Sequence, residues 1–308
     1  MNKGNPKVSV IICAYTMERL NDIHEAVDSV LTQTFRPHEV IVSVDHNEEL
    51  YQVLKDRLPS EVKIVENNGD QGLSETRNVG IRTANGEIVA FIDDDAVAEN
   101  DWLEKLTEPF QSQNVVAVGG RATPIWLNGR RPSWFPEELD WIVGCTYKGL
   151  PLKGNELRNV PGCNMAFRKE IFNQAGFWVN EIGASRQSQK GGEEAELCLR
   201  IKHMIPEAII LYQPDATIQH RVPLYRASLK WVFKNSFDQG ICKAKVNRIS
   251  SNQEALTTED SYLHYLLFAS IPQKLKCFYK KGSLSQTGAI MISIIATGAG
   301  YLMGRLRR

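Results

Sequence analysis

Val89-Ala90-Phe91-Ile92-Asp93-Asp94-Asp95 decides the reading of this chain, because a string of apolar residues ends abruptly in three carboxylates that no solvated loop requires. A buried strand delivering oxygen ligands to its carboxyl end is the simplest reading. Open α/β sheets bind ligands at that edge, and Asp93 and Asp95, two residues apart, can reach one hard cation whose other positions take phosphate oxygens and water. The alternative is an acidic turn after a strand, with Asp101 capping the next helix.

Outward from that stretch, the first 120 residues alternate strand and helix patterns. Val8–Ala14 and Glu39–Asp45 read as buried strands, 62–66 as a shorter one, then 87–93 and 115–120. Leu20, Ile23, Val27, Val30 and Leu31 recur at helical spacing, and Asn85-Gly86 stops a helix that begins near Ser74. Repeated βα units predict an α/β fold, a mostly parallel sheet with helices on both faces. From 122 to 161 the pattern breaks into a Pro- and Trp-rich segment too long for an ordinary connection, which reads as an insertion or lid. A helix follows Gly192 with carboxylates in its first turn, 208–212 returns as a strand, and Ile218-Gln219-His220 ends another extended run.

Lys plus Arg and Asp plus Glu both number 36, so there is no overall basic field and nucleic acid is not an expected partner. The six cysteines lie far apart without a metal-binding spacing, which fits a reducing compartment. The apolar run after Lys7 is too short for a signal peptide, so the folded part is expected in the cytosol.

Two further stretches carry polar chemistry. The first strand ends in Ala14-Tyr15 and the second in Asp45, so a ring and a carboxylate can meet at one sheet edge and hold a base, or Tyr15 packs and Asp45 caps a helix. The loop from Asn67 through Gly72 to Asn78 opens a helix whose free N–H groups suit an anion, and Arg77 adds charge or orients the aspartates.

Together these motifs, in this order, resemble family 2 glycosyltransferases of the GT-A fold over residues 8 to 221. The resemblance implies inverting sugar transfer from a nucleotide donor, with Ala14, Tyr15, Asp45, Gly72, Arg77, Asp93 and Asp94 at the donor site. Asp93 and Asp95 match the DXD positions, implying Mn²⁺ or Mg²⁺ on the donor diphosphate. Gly191-Gly192-Glu193-Glu194 resembles the Gly-Glu-Asp segment of the family. The implied catalytic base is Glu194, a Glu where the family has Asp, and Glu193 is the alternative; otherwise both merely complement the helix dipole. His220 resembles a late histidine that adds a metal or phosphate ligand, against a structural histidine in a turn.

On the acceptor side, Asn164 within Gly162-Cys163-Asn164 is implied as a polar contact. The segment from Trp134 to Trp141 is similar to a subgroup that includes archaeal glucuronosyltransferases acting on sugar-linked dolichyl phosphate. Its tryptophans can stack on sugar or touch lipid and Arg130-Arg131 can meet an acceptor phosphate, or the rings form an aromatic minicore beneath a long loop.

After a basic helical stretch, 222–283, comes an uncharged segment, 284–304, near the length that spans a bilayer. Lys274, Lys276, Lys280 and Lys281 precede it and Arg305, Arg307 and Arg308 follow, while its Gln, Ser, Thr and Gly content weakens insertion. A span, an interfacial anchor and a buried helix are all open, and Gly300/Gly304 form a GxxxG pair that can serve dimerisation.

The expected organisation is a transferase domain over 1–221, divided at 121/122 into nucleotide and acceptor halves, then the basic region and an anchor. The expected function is metal-dependent transfer from a UDP-linked sugar to a lipid-linked or polysaccharide acceptor at the cytoplasmic face of a membrane. Phe91-Ile92-Asp93-Asp94-Asp95-Ala96-Val97 also fits the DxDx(T/V) pattern of haloacid-dehalogenase-type phosphatases, and Glu at 194 leaves room for a sugar-nucleotide-binding pseudoenzyme.

Overall fold

The computed structural model describes residues 6–127, 129–150, 152, 155–180, 191–250 and 256–306. The flanking Arg307 and Arg308 lie outside them. In chain order the elements begin β1 (Val8–Ala14), α1 (Leu20–Leu31), β2 (Glu39–Asp45), α2 (Glu48–Arg57), β3 (Val62–Asn67), α3 (Leu73–Thr83), β4 (Ile88–Asp93) and β5 (Ala96–Ala98). Next come α4 (Trp102–Thr107), β6 (Val115–Trp126), β7 (Asn164–Arg168), α5 (Ile171–Ala175), α6 (Glu193–Met204) and β8 (Ile209–Val222). Four helices follow: α7 (Leu229–Ser250), α8 (Thr257–Tyr265), α9 (Ile271–Lys276) and α10 (Ser283–Leu306).

The strands form one sheet in the order β3-β2-β1-β4-β7-β6-β8-β5. β7 runs against both β4 and β6, and β5 runs against β8, while the other pairings are parallel. The sheet is therefore mixed, with six of its eight strands pointing one way. Alternation along β1 explains the layering: Val8, Val10, Ile12 and Ala14 pack with α1 on one face, and Ile11 packs with Ile81 of α3 and Leu197 of α6 on the other.

Two sequence readings need correction. The 208–212 and 218–220 runs are one long strand, β8, which stays paired with β6 through a register shift at Gly120/Arg121. β6 itself runs to Trp126, so the boundary drawn at 121/122 between the nucleotide and acceptor halves falls inside a strand. The insertion after β6 is packed rather than open: Phe135 is fully buried with Trp126 and Trp134 edge-on against it, and a 3-10 turn over Glu137–Val143 buries Leu139, Ile142 and Val143.

At the C-terminal end, α10 lies along α7. Gly300 and Gly304 allow the approach: a Cβ at Gly300 would stand 2.0 Å from the carbonyl oxygen of Phe237, and one at Gly304 2.8 Å from the Cβ of Ala244. The GxxxG pair thus serves a helix crossing within the chain. A buried Ser236–Ser293 hydroxyl pair at 2.9 Å closes the same seam.

Candidate functional site

The parallel half of the sheet aims the carboxyl ends of β1, β2 and β4 at one edge, with Cys13 of β1 level with Asp93 of β4 and Ala14 level with Val44 of β2. Asp45 is buried at that edge, where its Oδ1 accepts from Asn67 Nδ2 at 3.0 Å and from the Gly72 N–H at 3.2 Å. Asp45 thereby ties down the loop that opens α3. Gly72 has φ +138°, a left-handed conformation that a side chain resists, and this turn sets the amino end of α3. Tyr15 is exposed, with the Arg19 guanidinium 5.5 Å above its ring.

The three aspartates divide their tasks. Asp93 and Asp95 face His220, whose Nε2 lies 3.6 Å from Asp93 Oδ2 and 3.3 Å from Asp95 Oδ1. Two ligands each about 2.1 Å from one cation stand at most about 4.2 Å apart, so these separations suit a shared ion. Asp95 Oδ1 is buried with no hydrogen-bond partner, an arrangement that leaves an oxygen for a metal. Two carboxylates and an imidazole fit Mn²⁺ or Mg²⁺, the nitrogen favouring the former. Asp94 instead turns to Arg19, 2.5 Å from Nη1, while Arg19 Nη2 reaches Asp95 Oδ2 at 2.9 Å. Burial, with Asp95 and Asp93 alongside, pushes the Asp94 carboxyl up to about 7 against the pull of Arg19. Burial opposes charge on His220, yet Asp95 and Asp93 outweigh it and hold the imidazole well above its ordinary range. Burial likewise opposes ionisation of Asp93, and His220, Arg77 and Arg19 overcome it, holding Asp93 below the usual carboxylate range.

Across the cavity, α6 begins at Gly192 and presents Glu193 and Glu194 in its first turn. Arg77, almost fully buried, does not orient the aspartates: its Nη1 lies 2.9 Å from Glu194 Oε1 and 3.4 Å from Glu193 Oε1, and its Nη2 donates to the Gly162 carbonyl at 3.2 Å. The Trp178 ring packs against the same guanidinium at 5.4 Å. The Glu194 side chain keeps 15% exposure and lines the cavity, whereas Glu193 keeps 3% and its Oε2 is buried without a partner. Burial and the neighbouring Glu194 push the Glu193 carboxyl up to about 8.

The cavity, about 700 Å³, brings Asp93, Arg77 and Glu194 together with Trp141, Tyr147 and the Ser293, Thr297 and Tyr301 face of α10. Gly144, at φ +86° after the 3-10 turn, would set a Cβ 3.3 Å from the His220 ring, so the insertion covers the histidine closely. Trp134 is absent from the cavity wall, since it packs on Phe135. Asn164 is not brought to the cavity either. It is fully buried, its amide donating to the carbonyls of Arg121 and Ala216 and accepting from Trp102 Nε1, so it secures β7. Arg131 grips Asp140 with both nitrogens at 2.5 and 2.8 Å, which occupies the group proposed for an acceptor phosphate. Sequence reasoning did not single out Arg19, Trp178, Arg158, Lys243 or Glu259, of which the last three also line the cavity. Arg19 had one signal, its place in the first turn after β1.

Sheet, aspartate–histidine cluster and carboxylate-bearing helix define a glycosyltransferase of the GT-A fold. Residues 9–176 match the family model for glycosyl transferase family 2, and the chain belongs to that family. Glucosyl-dolichyl phosphate glucuronosyltransferase of Haloferax volcanii is 35% identical over 306 residues, covering 97% of this chain and 96% of that protein. The fold is shared with a mannosyltransferase of Pyrobaculum calidifontis solved with GDP-Man and Mn²⁺, at TM-score 0.63 and 18% identity over 97% of this chain and 88% of the other. GalNAc-T7, solved with UDP, GalNAc and Mn²⁺, superposes with TM-score 0.58 and 15% identity over 99% of this chain, which spans 57% of that one.

Proposed function

We propose that this glycosyltransferase moves a sugar from a UDP-linked donor, with inversion, to an acceptor carried on a lipid phosphate at the cytoplasmic face of a membrane. The observation that carries this reading is one cavity that joins Asp93 and Glu194 to the apolar helix α10. The acceptor class is further supported by the Haloferax relative, which is named for acting on glucosyl-dolichyl phosphate.

In this reading Asp93, Asp95 and His220 hold a divalent metal, which when bound offsets the charge developing on the departing diphosphate. Tyr15 and Asp45 flank the base, and Gly72 offers the amino end of α3 to phosphate oxygens. Arg19 keeps Asp94 and Asp95 in place. Glu194 accepts the proton of the acceptor hydroxyl as that oxygen attacks the anomeric carbon from the face opposite the leaving group. Arg77 fixes the Glu194 carboxylate. Glu193 is the weaker candidate, since a carboxyl held near 8 is protonated at neutral pH and lies off the cavity wall.

The transferase domain ends with β8, and the helices after it attach the protein to the membrane. α10 is long and apolar enough to cross a bilayer, with mean hydropathy 1.5 over its best window. Its first turn meets Ser133 through Gln286 at 2.9 Å and its middle forms the cavity wall, so it lies along the domain. Phe268, Phe278, Tyr279 and Leu284 are exposed in the same stretch of chain as Lys274, Lys276, Lys280 and Lys281, and Ile295 and Leu302 are exposed further along α10, a composition that suits in-plane attachment to an anionic surface. Incubating the protein with membranes, Mn²⁺ and a panel of labelled UDP-sugars, then extracting lipid, tests the reading. Label should enter the organic phase with at least one donor, and label confined to the aqueous phase throughout would refute the acceptor class.

A further inference from the structure

One wall of the cavity is not held in place by burial. Leu256, Thr258, Glu259, Tyr262, Leu263 and Leu266 stand along it, so α8 and the residues at its two ends cover the apolar arm of the cavity. None of the nine residues of α8 is buried. Leu263 lines the cavity and yet keeps 39% exposure, so a single helix separates the cavity from the exterior there. A helix with no buried apolar residue belongs to the low-stability end of a fold and opens locally while the core stays intact.

Side-chain contacts fasten this helix instead, at two places. Near its start the Arg158 guanidinium takes the Glu259 carboxylate in a fork, Nη1 to Oε2 and Nη2 to Oε1, the latter 3.1 Å, and Lys243 Nζ meets Oε1 at 2.5 Å. Arg158 also donates to Asn159 Oδ1 at 2.9 and 3.0 Å, so the network is satisfied within the chain. Burial works against the Glu259 charge, and Lys243 and Arg158 hold its carboxyl down to about 2, which keeps this catch ionised at neutral pH. One turn on, the Tyr262 hydroxyl donates to the Glu138 carbonyl, and its ring meets Tyr147 edge-on with 4.8 Å between centroids.

The far end of α8 is fixed differently. Leu266–Ser270 wind as one π-helical turn, a form that recurs at functional sites. Leu266 is buried in the main core, Ser270 Oγ donates to Glu138 Oε1 at 2.7 Å, and Lys274 Nζ stands 3.2 Å from Oε2 of the same carboxylate. Burial thus secures the carboxyl end of α8, whereas polar catches alone secure the rest.

We infer that α8 is a lid over the acceptor side of the cavity, pivoting on the Leu266–Ser270 turn and latched shut by Glu259 on Arg158 and Lys243. This inference deepens the transfer reading above and rests on it only for what passes beneath the lid, the apolar chain of a lipid-linked acceptor. Swinging α8 aside opens the apolar arm, lined beyond the lid by Leu150, Leu157 and Ile294, to a chain arriving from the membrane surface.

Hydrogen exchange read by mass spectrometry on the full-length protein in non-ionic detergent tests the lid directly. In the free protein the amides of 257–265 should exchange at least about tenfold faster than those of 232–246 in α7. Glu259→Gln should speed exchange across 257–265 by about a further tenfold, the scale of losing charge-assisted contacts, and leave β1, β2 and β4 as in the wild type. Tyr262→Phe, which releases the second catch and spares the ion network, should act in the same direction. Phytanyl phosphate, followed by tryptophan fluorescence in stopped flow, should associate and dissociate about tenfold faster in Glu259→Gln at nearly unchanged affinity, because a lid gates both directions. A fixed wall that merely lost a contact would speed dissociation alone.

Exchange in 257–265 as slow as in 232–246, or unchanged by Glu259→Gln, overturns the lid, and so does an unchanged association rate. Faster exchange spread over β1, β2 and β4 also overturns it, since the network then supports the fold as a whole. If exchange responds as expected and phytanyl phosphate binds to no variant, the lid stands and the lipid-acceptor reading falls.

Discussion

Gly162→Ala is the sharpest perturbation of the proposed base. A Cβ at Gly162 would stand 2.0 Å from Glu194 Oε1, 2.8 Å from its Cδ and 3.1 Å from Arg77 Nη2. Ordinary contact begins near 3.4 Å, so the carboxylate must retreat by about 1.4 Å. The obstacle is the end of a flexible side chain facing a cavity, so that end moves rather than the backbone. Gly162 is also outside the left-handed region, so alanine brings no backbone strain, and its smaller unfolded-state entropy contributes about 0.4–1 kcal/mol in favour of folding. A displacement of about 1 Å at a reacting group costs roughly 10²-fold in rate. Single-turnover transfer should therefore fall about a hundredfold. Melting temperature and calorimetric binding of nucleotide sugar with Mn²⁺ should stay close to wild type. A transfer rate within threefold of wild type in a correctly folded variant would refute the placement of the base, since ~10² is the expected loss.

Glu194→Gln should lower the chemical rate by about 10²–10⁴-fold with donor binding retained. Glu193→Gln should cost less, and the reverse order in single-turnover assays would assign the base to Glu193. Asp95→Asn should abolish Mn²⁺-dependent nucleotide binding with little change in melting temperature, because a charged ligand is lost at constant volume; unchanged calorimetric binding would remove the metal assignment. The folded Glu193 carboxyl sits near 8 against an ordinary 4.5, so the folded state holds an extra proton between those values and its contribution to stability is lost as pH rises through them. Glu193→Gln should therefore gain in melting temperature relative to wild type as pH climbs from about 4.5 to about 8, and a constant gap would contradict the buried, protonated assignment. Ile295→Glu with Leu302→Glu, both more than 60% exposed on α10, should release the protein from anionic vesicles in a flotation assay, and unchanged flotation would place the membrane surface elsewhere.

The first two strands and β4 were legible because each is a buried apolar run between turn signals, and Val8–Ala14 and Glu39–Asp45 fall where the pattern puts them, whereas β5 and β7 are too short to carry a pattern of their own and were not read. The grouping of Asp93, Asp95 and His220 was legible too, although β4 and β8 bring residues 125 positions or more apart into contact and only the resemblance connected them. Pairing partners were not legible. Arg77 reads as charge for an anion or as an orienter of the aspartates, and only the fold reveals that its guanidinium meets Glu194 instead. Asn164 is implied as an acceptor-side polar contact, and sequence does not reveal that its amide is taken up by Trp102, Arg121 and Ala216. The Arg158–Lys243–Glu259 cluster has no local pattern, since its members lie on three elements joined only by tertiary contact.

Release of UDP tests the central claim most directly. With membranes present and a panel of UDP-sugars supplied, the wild-type protein should release UDP from at least one donor in a reaction that chelation of Mn²⁺ and Mg²⁺ stops and Glu194→Gln strongly slows. UDP release that persists undiminished in EDTA, or no release from any donor while a phosphomonoester is hydrolysed, would contradict metal-dependent glycosyl transfer at this site.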